Sequence, residues 1–303
     1  MSATPLPPSL SATVLVPTTG DRGPLLPYSV GSILAQSVRD IEVFVMGDGV
    51  SDETRAVIAD LMRKDGRIRF FDHPKHARRG EPYRHAALAE ARGEIVCYLC
   101  DRDIMLPNHV EAMSRLLANA DFGHTLRFGI APKGGLAFQA TLDINDPRDR
   151  NKAVLAEPQI PLSFAGHTLA MYRRLPYGWR MTPPGLQTDR YMWQQFLAQP
   201  DCRTATSTHP TILYFKRGDH PGQSVEERLG ELKLWYAKLD KPGWLGEFAE
   251  QARDGAIRDR AGVARRTEAA MRLNATLARR FPRLASTIRR FPRLMTAVKR
   301  RQR

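Results

Sequence analysis

The stretch ATVLVPTTG at residues 12–20 joins five residues that suit a buried strand to a proline and a small polar loop. Three further short β-rich runs, bounded like the first by Gly, Pro, Asp or His, occupy residues 41–46, 67–71 and 95–99. Helix-like stretches lie at about residues 25–36, 52–64, 81–91 and 108–119. Alternating strands and helices predict a parallel sheet with right-handed crossovers, and continuous apolar strands indicate a sheet that is covered on both faces. We therefore expect an α/β fold with a Rossmann-like, mostly parallel sheet and helices on both faces.

The rhythm changes after residue 120, where the pattern indicates a mixed second half. Strand-like runs at 164–172 and 211–215 alternate with helix-like stretches at 186–199 and 224–239, the last of which starts with an SVEE capping box. From residue 244 onward the chain is helical in character and increasingly basic. The sequence thus predicts a flexible leader (1–10), a parallel α/β half (11–120), a mixed half (121–243) and a helical, strongly basic C-terminal extension (244–303).

Composition and charge restrict the class of protein. The 303 residues suffice for one large domain with an appendage, and 42% hydrophobic and 26% charged residues exclude global disorder. The formal net charge of +14 is unevenly spread, because residues 269–303 hold eleven Lys or Arg and no acidic residue, which leaves about +3 for the rest. The sequence has no apolar run long enough for a bilayer, no secretory signal and only three cysteines. We therefore expect a cytoplasmic protein.

Small and acidic residues follow three of the predicted strands. The loop Pro17–Gly20 follows the first strand, Asp48 and Gly49 the second, and Asp101 and Asp103 the fourth. Because ligands of open parallel sheets bind outside the carboxyl ends of the strands, we expect these residues to converge on one crevice. Two carboxylates one residue apart suit a hard cation such as Mg²⁺ or Mn²⁺, although Asp and Gly also populate loops and helix caps for purely structural reasons.

Three segments together carry a family resemblance. VLVPTTG (14–20), SILAQSVRDIEVFVMGDG (32–49) and RGEIVCYLCDRDIMLPNH (92–109) resemble the nucleotide-sugar-binding half of family 2 glycosyltransferases of the GT-A fold. The resemblance covers a little over a third of the chain well. The family more often has TYN where this chain has TTG (18–20), and DDG where it has GDG (47–49). These departures bear on nucleotide specificity more than on the fold.

The resemblance implies a role for each residue near the predicted crevice. Its donor side, which would hold the nucleobase, the ribose and the sugar diphosphate, comprises Pro17, Thr18, Thr19, Gly20, Asp48, Gly49, Arg78, Arg79 and Asp101. Asp103, with Asp101 beside it, would bind a Mn²⁺ or Mg²⁺ ion on the diphosphate. His220 stands where related enzymes can place a late metal or diphosphate ligand. A solvated basic loop is the alternative for the two arginines.

The second half of the chain is expected to bind the acceptor and supply the catalytic base. The family's base lies in an acidic dipeptide at a helix start, a position that Thr188-Asp189 matches, 86 residues beyond Asp103. The alternative for Asp189 is a first-turn acid favoured by the helix dipole. Three further side chains are weak candidates for contacts with the acceptor, although each also suits the core: His167, Trp179 and Trp193.

The expected activity is transfer of a sugar, with inversion, from a nucleoside-diphosphate sugar to a hydroxyl of a glycan or lipid-linked acceptor, with UDP favoured by family habit. One alternative is a degenerate member that binds nucleotide or glycan without catalysis. Another is a nucleotidyltransferase, whose G-x-G-T-R-like loop is absent after the first strand. The sequence has no P-loop motif and no G-x-S-x-G nucleophile elbow, and a lone C-x-x-C at 97–100 argues against zinc.

The basic extension carries an internal repeat, with RRFPRL at both 279–284 and 289–294. Proline suits the first turn of a helix, so each repeat can begin a short basic amphipathic helix. Such helices suit an anionic membrane surface, and a lipid-linked acceptor favours this interpretation of residues 279–303. We therefore expect peripheral association with the inner face of the plasma membrane. Nucleic acid is the less favoured partner, and a disordered solubilising tail is the other alternative.

Overall fold

The computed structural model describes residues 9–131, 135–139, 142–155, 160–215, 222–241, 243–254 and 268. The chain divides into two compact units, Met1–Ala252 and Arg253–Arg303. Most of the predicted leader, His220 and the repeats of the basic extension lie outside the described residues. The four-segment division of the chain stays a prediction.

The first half of the chain alternates strands and helices as predicted. Its strands are β1 (Leu10–Gly20), β2 (Ile41–Val50), β3 (Ile68–His73) and β4 (Gly93–Tyr98). Its helices are α1 (Leu26–Leu34), α2 (Asp52–Lys64), α3 (Glu81–Ala89) and α4 (His109–Leu117). Ser51 caps α2 as expected, because its hydroxyl accepts the backbone N–H of Thr54 at 3.2 Å.

The second half mixes shorter elements. Its strands are β5 (Ile104–Met105), β6 (Phe122–Ile130), β7 (Leu136–Gln139), β8 (Ala165–Thr168) and β9 (Thr204–Tyr214). Its helices are α5 (Pro147–Leu155), α6 (Leu169–Arg174), α7 (Thr188–Leu197) and α8 (Val225–Tyr236). The prediction of one strand over 164–172 is wrong beyond Thr168, whose hydroxyl accepts the N–H of Met171 at 3.2 Å and so starts a helix. The capping box of Ser224 and Glu227 is confirmed.

Within the described residues the strands form one nine-stranded sheet. The order is β3-β2-β1-β4-β8-β6-β9-β5, and β7 pairs with β6. Strands β1 to β4 pair in parallel, whereas β8 is antiparallel to both β4 and β6, so the second half makes the sheet mixed. The strand order reverses at β1, which has β2 on one side and β4 on the other. Such a reversal opens a crevice at the carboxyl ends of the strands.

Apolar packing explains why the first strands read as continuous runs. Val14, Val43 and Val45 are fully buried, as expected for a sheet with helices on both faces. In a second core cluster, the Phe248 ring lies 5.4 Å from that of Trp235 and 6.0 Å from that of Phe128. The helical residues 244–252 therefore pack as part of the first unit. Across the described ranges, none of the helices has both the length and the apolar character needed to cross a membrane.

Candidate active site

The carboxyl ends of β1, β2 and β4 and the start of α7 border one cavity of about 640 Å³. Eight of the residues singled out from the sequence line it: Pro17, Thr18, Thr19, Asp48, Arg78, Arg79, Asp101 and Asp189. The structure thus brings residues of the predicted donor side and the predicted base, Asp189, to one cavity at the point where the strand order reverses.

Asp48 forms one wall of the cavity with both carboxylate oxygens engaged. Oδ1 accepts the backbone N–H of His76 at 2.6 Å, and Oδ2 accepts from Lys75 Nζ. Gly49 makes this approach possible, since its φ is +65° and a Cβ there would lie 2.5 Å from Cβ of Lys75. Gly49 and Gly20 do not line the cavity, so their predicted contact with the nucleotide is corrected to a role in shaping the backbone.

Asp101 lies at the cavity wall directly after β4, with a residue exposure of 1%. Thr18 Oγ1 donates to its Oδ2 at 3.1 Å. Nη1 of Arg22 lies 3.3 Å from Oδ1 and 3.2 Å from Oδ2, so both oxygens face one guanidinium. The carboxylate is therefore already neutralised by a cation of the protein itself.

Asp103 is not placed as a metal ligand, which corrects the prediction. The residue is fully buried and does not line the cavity. Oδ1 accepts the N–H of Phe215 at 3.0 Å, and Oδ2 accepts from the hydroxyl of Ser163. Burial raises the pKa of Asp103 to about 6, against the opposing charge of Arg102. The carboxylate thus joins β4 to the segments around Ser163 and Phe215.

The donor set of the described residues does not fit a resident divalent cation. Across the part of the chain that the structure describes, no group of three or more His, Cys, Asp or Glu is arranged to hold a metal ion. Of the two predicted acidic ligands, Asp101 is paired with Arg22 and Asp103 is turned into the core. His220 lies outside the described residues and adds no observation.

Asp189 stands in the first turn of α7 and lines the cavity. Its Oδ2 accepts the backbone N–H of Leu162 at 3.1 Å, which fixes the carboxylate in one orientation. Burial raises the pKa of Asp189, while the positive charges of Arg84 and Arg79 oppose that rise. A fixed carboxylate with a raised pKa at the wall of a cavity has the properties of a general base.

Arg78 and Arg84 connect the donor side to the α7 side. Nη2 of Arg78 donates to the carbonyls of Pro183 and Leu186, at 3.4 and 3.3 Å, just before α7. Arg84 is 5% exposed, and its Nη2 donates to the carbonyl of Arg79 at 2.9 Å. Its Nε and Nη1 are buried without a hydrogen-bond partner among the described residues, and the guanidinium lies over the ring of Trp179, 4.8 Å from its centroid.

The three candidate acceptor contacts are core residues, which corrects that prediction. His167 and Trp193 are fully buried, Trp179 is 2% exposed, and none of them lines the cavity. The hydroxyl of Tyr98 lies 2.7 Å from Nε2 of His167 and accepts from Nε1 of Trp179 at 3.0 Å. Burial lowers the pKa of His167 to about 4, which keeps the ring neutral. Their polar atoms satisfy one another in an aromatic core.

Sequence reasoning missed four cationic side chains that line the cavity: Arg22, Lys75, Arg84 and Arg102. Arg22 ends the loop after β1 and Arg102 separates the two aspartates after β4, so the rule on strand ends could have found both. Lys75 follows β3, and Arg84 lies on α3. No local signal in the sequence distinguishes either residue from a solvated basic residue.

Fold and site together define a GT-A protein, with a parallel nucleotide-type half, a second half of mixed strand direction and a polar cavity at the strand ends. The family model described as glycosyl transferase family 2 matches residues 13–178, more than half of the chain. The chain therefore belongs to glycosyl transferase family 2. Membership confirms the fold and the class of enzyme that the sequence predicts.

One curated relative is similar to part of this chain in sequence. Over 122 residues the chain is 34% identical to the GalNAc(5)-diNAcBac-PP-undecaprenol beta-1,3-glucosyltransferase of Campylobacter jejuni. The match covers 40% of this chain and 38% of the relative, so it spans well under half of that protein's length.

Two solved structures share the fold at low sequence identity. S. aureus TarS 1-349 in complex with UDP-GlcNAc matches with a TM-score of 0.55 and 14% identity, over 82% of this chain and 72% of that one. The mannosyltransferase PcManGT of Pyrobaculum calidifontis, in complex with GDP-Man and Mn²⁺, matches with a TM-score of 0.50 and 17% identity, over 88% and 81%. At these identities the likeness shows the fold alone.

Proposed function

We propose that this chain transfers a sugar from a nucleoside-diphosphate sugar to a hydroxyl of a lipid-linked or glycan acceptor, with inversion at the anomeric carbon. One observation carries the proposal: the carboxyl ends of β1 and β2, the segment after β4 and Asp189 border the same cavity. A donor bound at the strand ends would therefore meet a base on its far side.

The donor side of the proposal rests on fixed polar groups. Lys75 and the N–H of His76 hold Asp48 in place, so the nucleobase and ribose would meet a preorganised wall formed with Thr18 and Thr19. Arg78 and Arg79 would approach the sugar diphosphate from the loop before α3. We propose UDP as the nucleotide, a choice supported by the TarS complex with UDP-GlcNAc. GDP is the alternative that the Pyrobaculum complex exemplifies.

The acceptor side rests on the relative and on Asp189. The name of the Campylobacter relative includes PP-undecaprenol, which supports a lipid-linked acceptor here. In the proposed step the acceptor hydroxyl loses its proton to Asp189 as its oxygen forms a bond to the anomeric carbon. The bond from that carbon to the phosphate oxygen breaks, and the nucleoside diphosphate leaves. A single displacement of this kind inverts the configuration at the anomeric carbon.

A lipid-linked acceptor also gives the basic extension a role. We propose that residues 279–303 bind an anionic membrane surface on the cytoplasmic side, where such an acceptor is accessible. The proposal rests on the RRFPRL repeats and the density of positive charge in the sequence. Liposome flotation of the full chain and of a chain ending at residue 278 tests it.

A structural neighbour supports a divalent metal cofactor, whereas the residues predicted to bind it do not. The Pyrobaculum complex contains Mn²⁺, which supports the predicted Mn²⁺ or Mg²⁺ cofactor. The predicted ligands oppose it, because Asp101 is paired with Arg22 and Asp103 is buried with both oxygens engaged.

Release of nucleoside diphosphate from a panel of UDP- and GDP-sugars tests the function, with Asp189→Asn as the variant and Asp201→Asn as the control. Asp201 is an exposed carboxylate paired with Arg174. We expect Asp189→Asn to lower turnover about 10²- to 10⁴-fold, since it removes a general base, and Asp201→Asn to leave turnover unchanged. Because the pKa of Asp189 is raised and the base must be deprotonated, the rate should fall as pH is lowered through a value above that of an ordinary Asp.

Two outcomes would contradict the proposal. Binding of nucleotide sugars without turnover of any of them would identify a non-catalytic member of the family. Release of pyrophosphate in place of a nucleoside diphosphate would identify a nucleotidyltransferase. Full activity in Asp189→Asn would leave the reaction in place and remove Asp189 as its base.

A further inference from the structure

The cavity is more cationic than the pair Asp101 and Asp103 suggests. Six Lys or Arg side chains line it, against three Asp. One of the three, Asp101, already faces the guanidinium of Arg22 across 3.2 Å. A divalent cation brought to Asp101 would therefore approach a fixed positive charge, and it would not meet the carboxylate of Asp103, which is turned away from the cavity.

Arg102 occupies the place between the two aspartates and lines the cavity. Its Nε donates to the carbonyl of Phe215 at 3.2 Å, which anchors the side chain. Among the described residues the two terminal nitrogens of this guanidinium make no hydrogen bond. The same segment that holds Asp103 by the N–H of Phe215 thus holds Arg102 by the carbonyl of Phe215.

Two guanidinium groups, those of Arg22 and Arg102, line the same cavity. Like charges repel each other, so the guanidinium groups of Arg22 and Arg102 are best accommodated when an anion lies between them. Guanidinium groups match the geometry of phosphate oxygens and remain charged at every physiological pH.

We infer that Arg102 and Arg22 bind the donor diphosphate in place of a divalent cation. This inference rests on the proposed function. The two guanidinium groups hold the phosphate oxygens when the donor binds. They also stabilise the charge that grows on the leaving diphosphate as its bond to the anomeric carbon breaks. Donor binding then requires neither Mn²⁺ nor Mg²⁺.

Calorimetric titration of the full chain with UDP and with GDP, in EDTA and in MnCl₂, tests the inference without a need for the acceptor. We expect the nucleotide that binds to do so in EDTA with a Kd within about threefold of that in MnCl₂. Arg102→Met, which keeps the aliphatic stem, should weaken binding in EDTA about tenfold or more. Arg63→Ala removes an exposed arginine of α2 that pairs with Asp60 and should leave the Kd unchanged.

The outcomes separate this inference from the function on which it rests. Binding in MnCl₂ that is lost in EDTA would overturn the inference and leave the proposed function standing. A folded Arg102→Met chain that binds in EDTA as tightly as the unaltered chain would also overturn it. If neither nucleotide binds in either buffer, the proposed function fails and the inference fails with it. Should Arg102→Met not fold, the comparison of EDTA with MnCl₂ on the unaltered chain decides alone.

Discussion

The two halves of the sheet build the cavity in different ways. In the first half, parallel strands end together, and the carboxyl ends of β1 and β2 and the segment after β4 deliver Thr18, Asp48 and Asp101 to one place. In the second half, strands of mixed direction and short helices supply fewer groups, chiefly Asp189 and the segment that fixes it. The first half is organised by a local rule of strand ends, whereas the second depends on packing between distant segments.

The largest test of this contrast concerns the aromatic residues of the second half. Trp193 is fully buried, its ring lies 5.7 Å from that of Tyr98, and its Nε1 donates to the carbonyl of Ile160 at 2.9 Å. We expect Trp193→Ala to lower the free energy of unfolding by about 3–5 kcal/mol, as measured by denaturant titration. Tyr177→Ala is the control, since that ring is 56% exposed, and its cost should stay within about 0.5 kcal/mol.

A Trp193→Ala chain of unchanged stability, but with a raised KM for the acceptor, would contradict this assignment. That result would assign the indole of Trp193 to the acceptor site, so the aromatic residues of the second half would no longer be purely structural.

The second test concerns a glycine of the first half. Gly49 has a φ of +65°, and a Cβ there would lie 2.5 Å from Cβ and 2.8 Å from Cα of Lys75. Gly20 has a φ of +60° with open space around it. Gly20→Ala should cost about 1 kcal/mol of unfolding free energy from backbone strain alone, and Gly49→Ala at least about 1 kcal/mol more from the clash. Gly49→Ala should also weaken nucleotide binding, because Lys75 can no longer hold Asp48.

If Gly20→Ala and Gly49→Ala lowered the free energy of unfolding equally, the loop that carries Lys75 would have to move aside without an energetic penalty. In that case Asp48 is not a preorganised wall, and the first half is less rigid than its strand ends indicate.

Sequence patterns predicted the first half well for a physical reason. Strand and helix periods are local properties, and the chain after each strand must reach the same edge of the sheet, so Asp48 and Asp101 could be placed from the sequence. Asp189 was found through the family resemblance. The direction of Asp103 could not be predicted, since Ser163 and Phe215, which hold it, lie 60 and 112 residues away. Thr168 was missed as a cap because an apolar run surrounds it.

The third test concerns Asp103 and distinguishes a structural role of its carboxylate from a metal-binding role. Asparagine keeps one interaction and replaces the other, because its carbonyl oxygen can accept the N–H of Phe215 and its NH₂ can donate to the hydroxyl oxygen of Ser163, whose O–H then loses its acceptor. Alanine leaves both donors without an acceptor. We expect Asp103→Ala to cost about 1–3 kcal/mol of unfolding free energy. Asp103→Asn should cost less unfolding free energy than Asp103→Ala and should change the nucleotide Kd in MnCl₂ very little.

A metal ligand would give the opposite result. If Asp103 bound the cation, Asp103→Asn would replace a charged ligand by a neutral one and weaken nucleotide binding in MnCl₂, while the stability of the metal-free chain stayed the same. The pair of variants therefore separates the two roles by two measurements: the energy of unfolding, which responds to the hydrogen bonds, and the Kd in MnCl₂, which responds to the charge. A loss of affinity confined to MnCl₂ would assign Asp103 to the donor site and extend the local rule of strand ends to both aspartates.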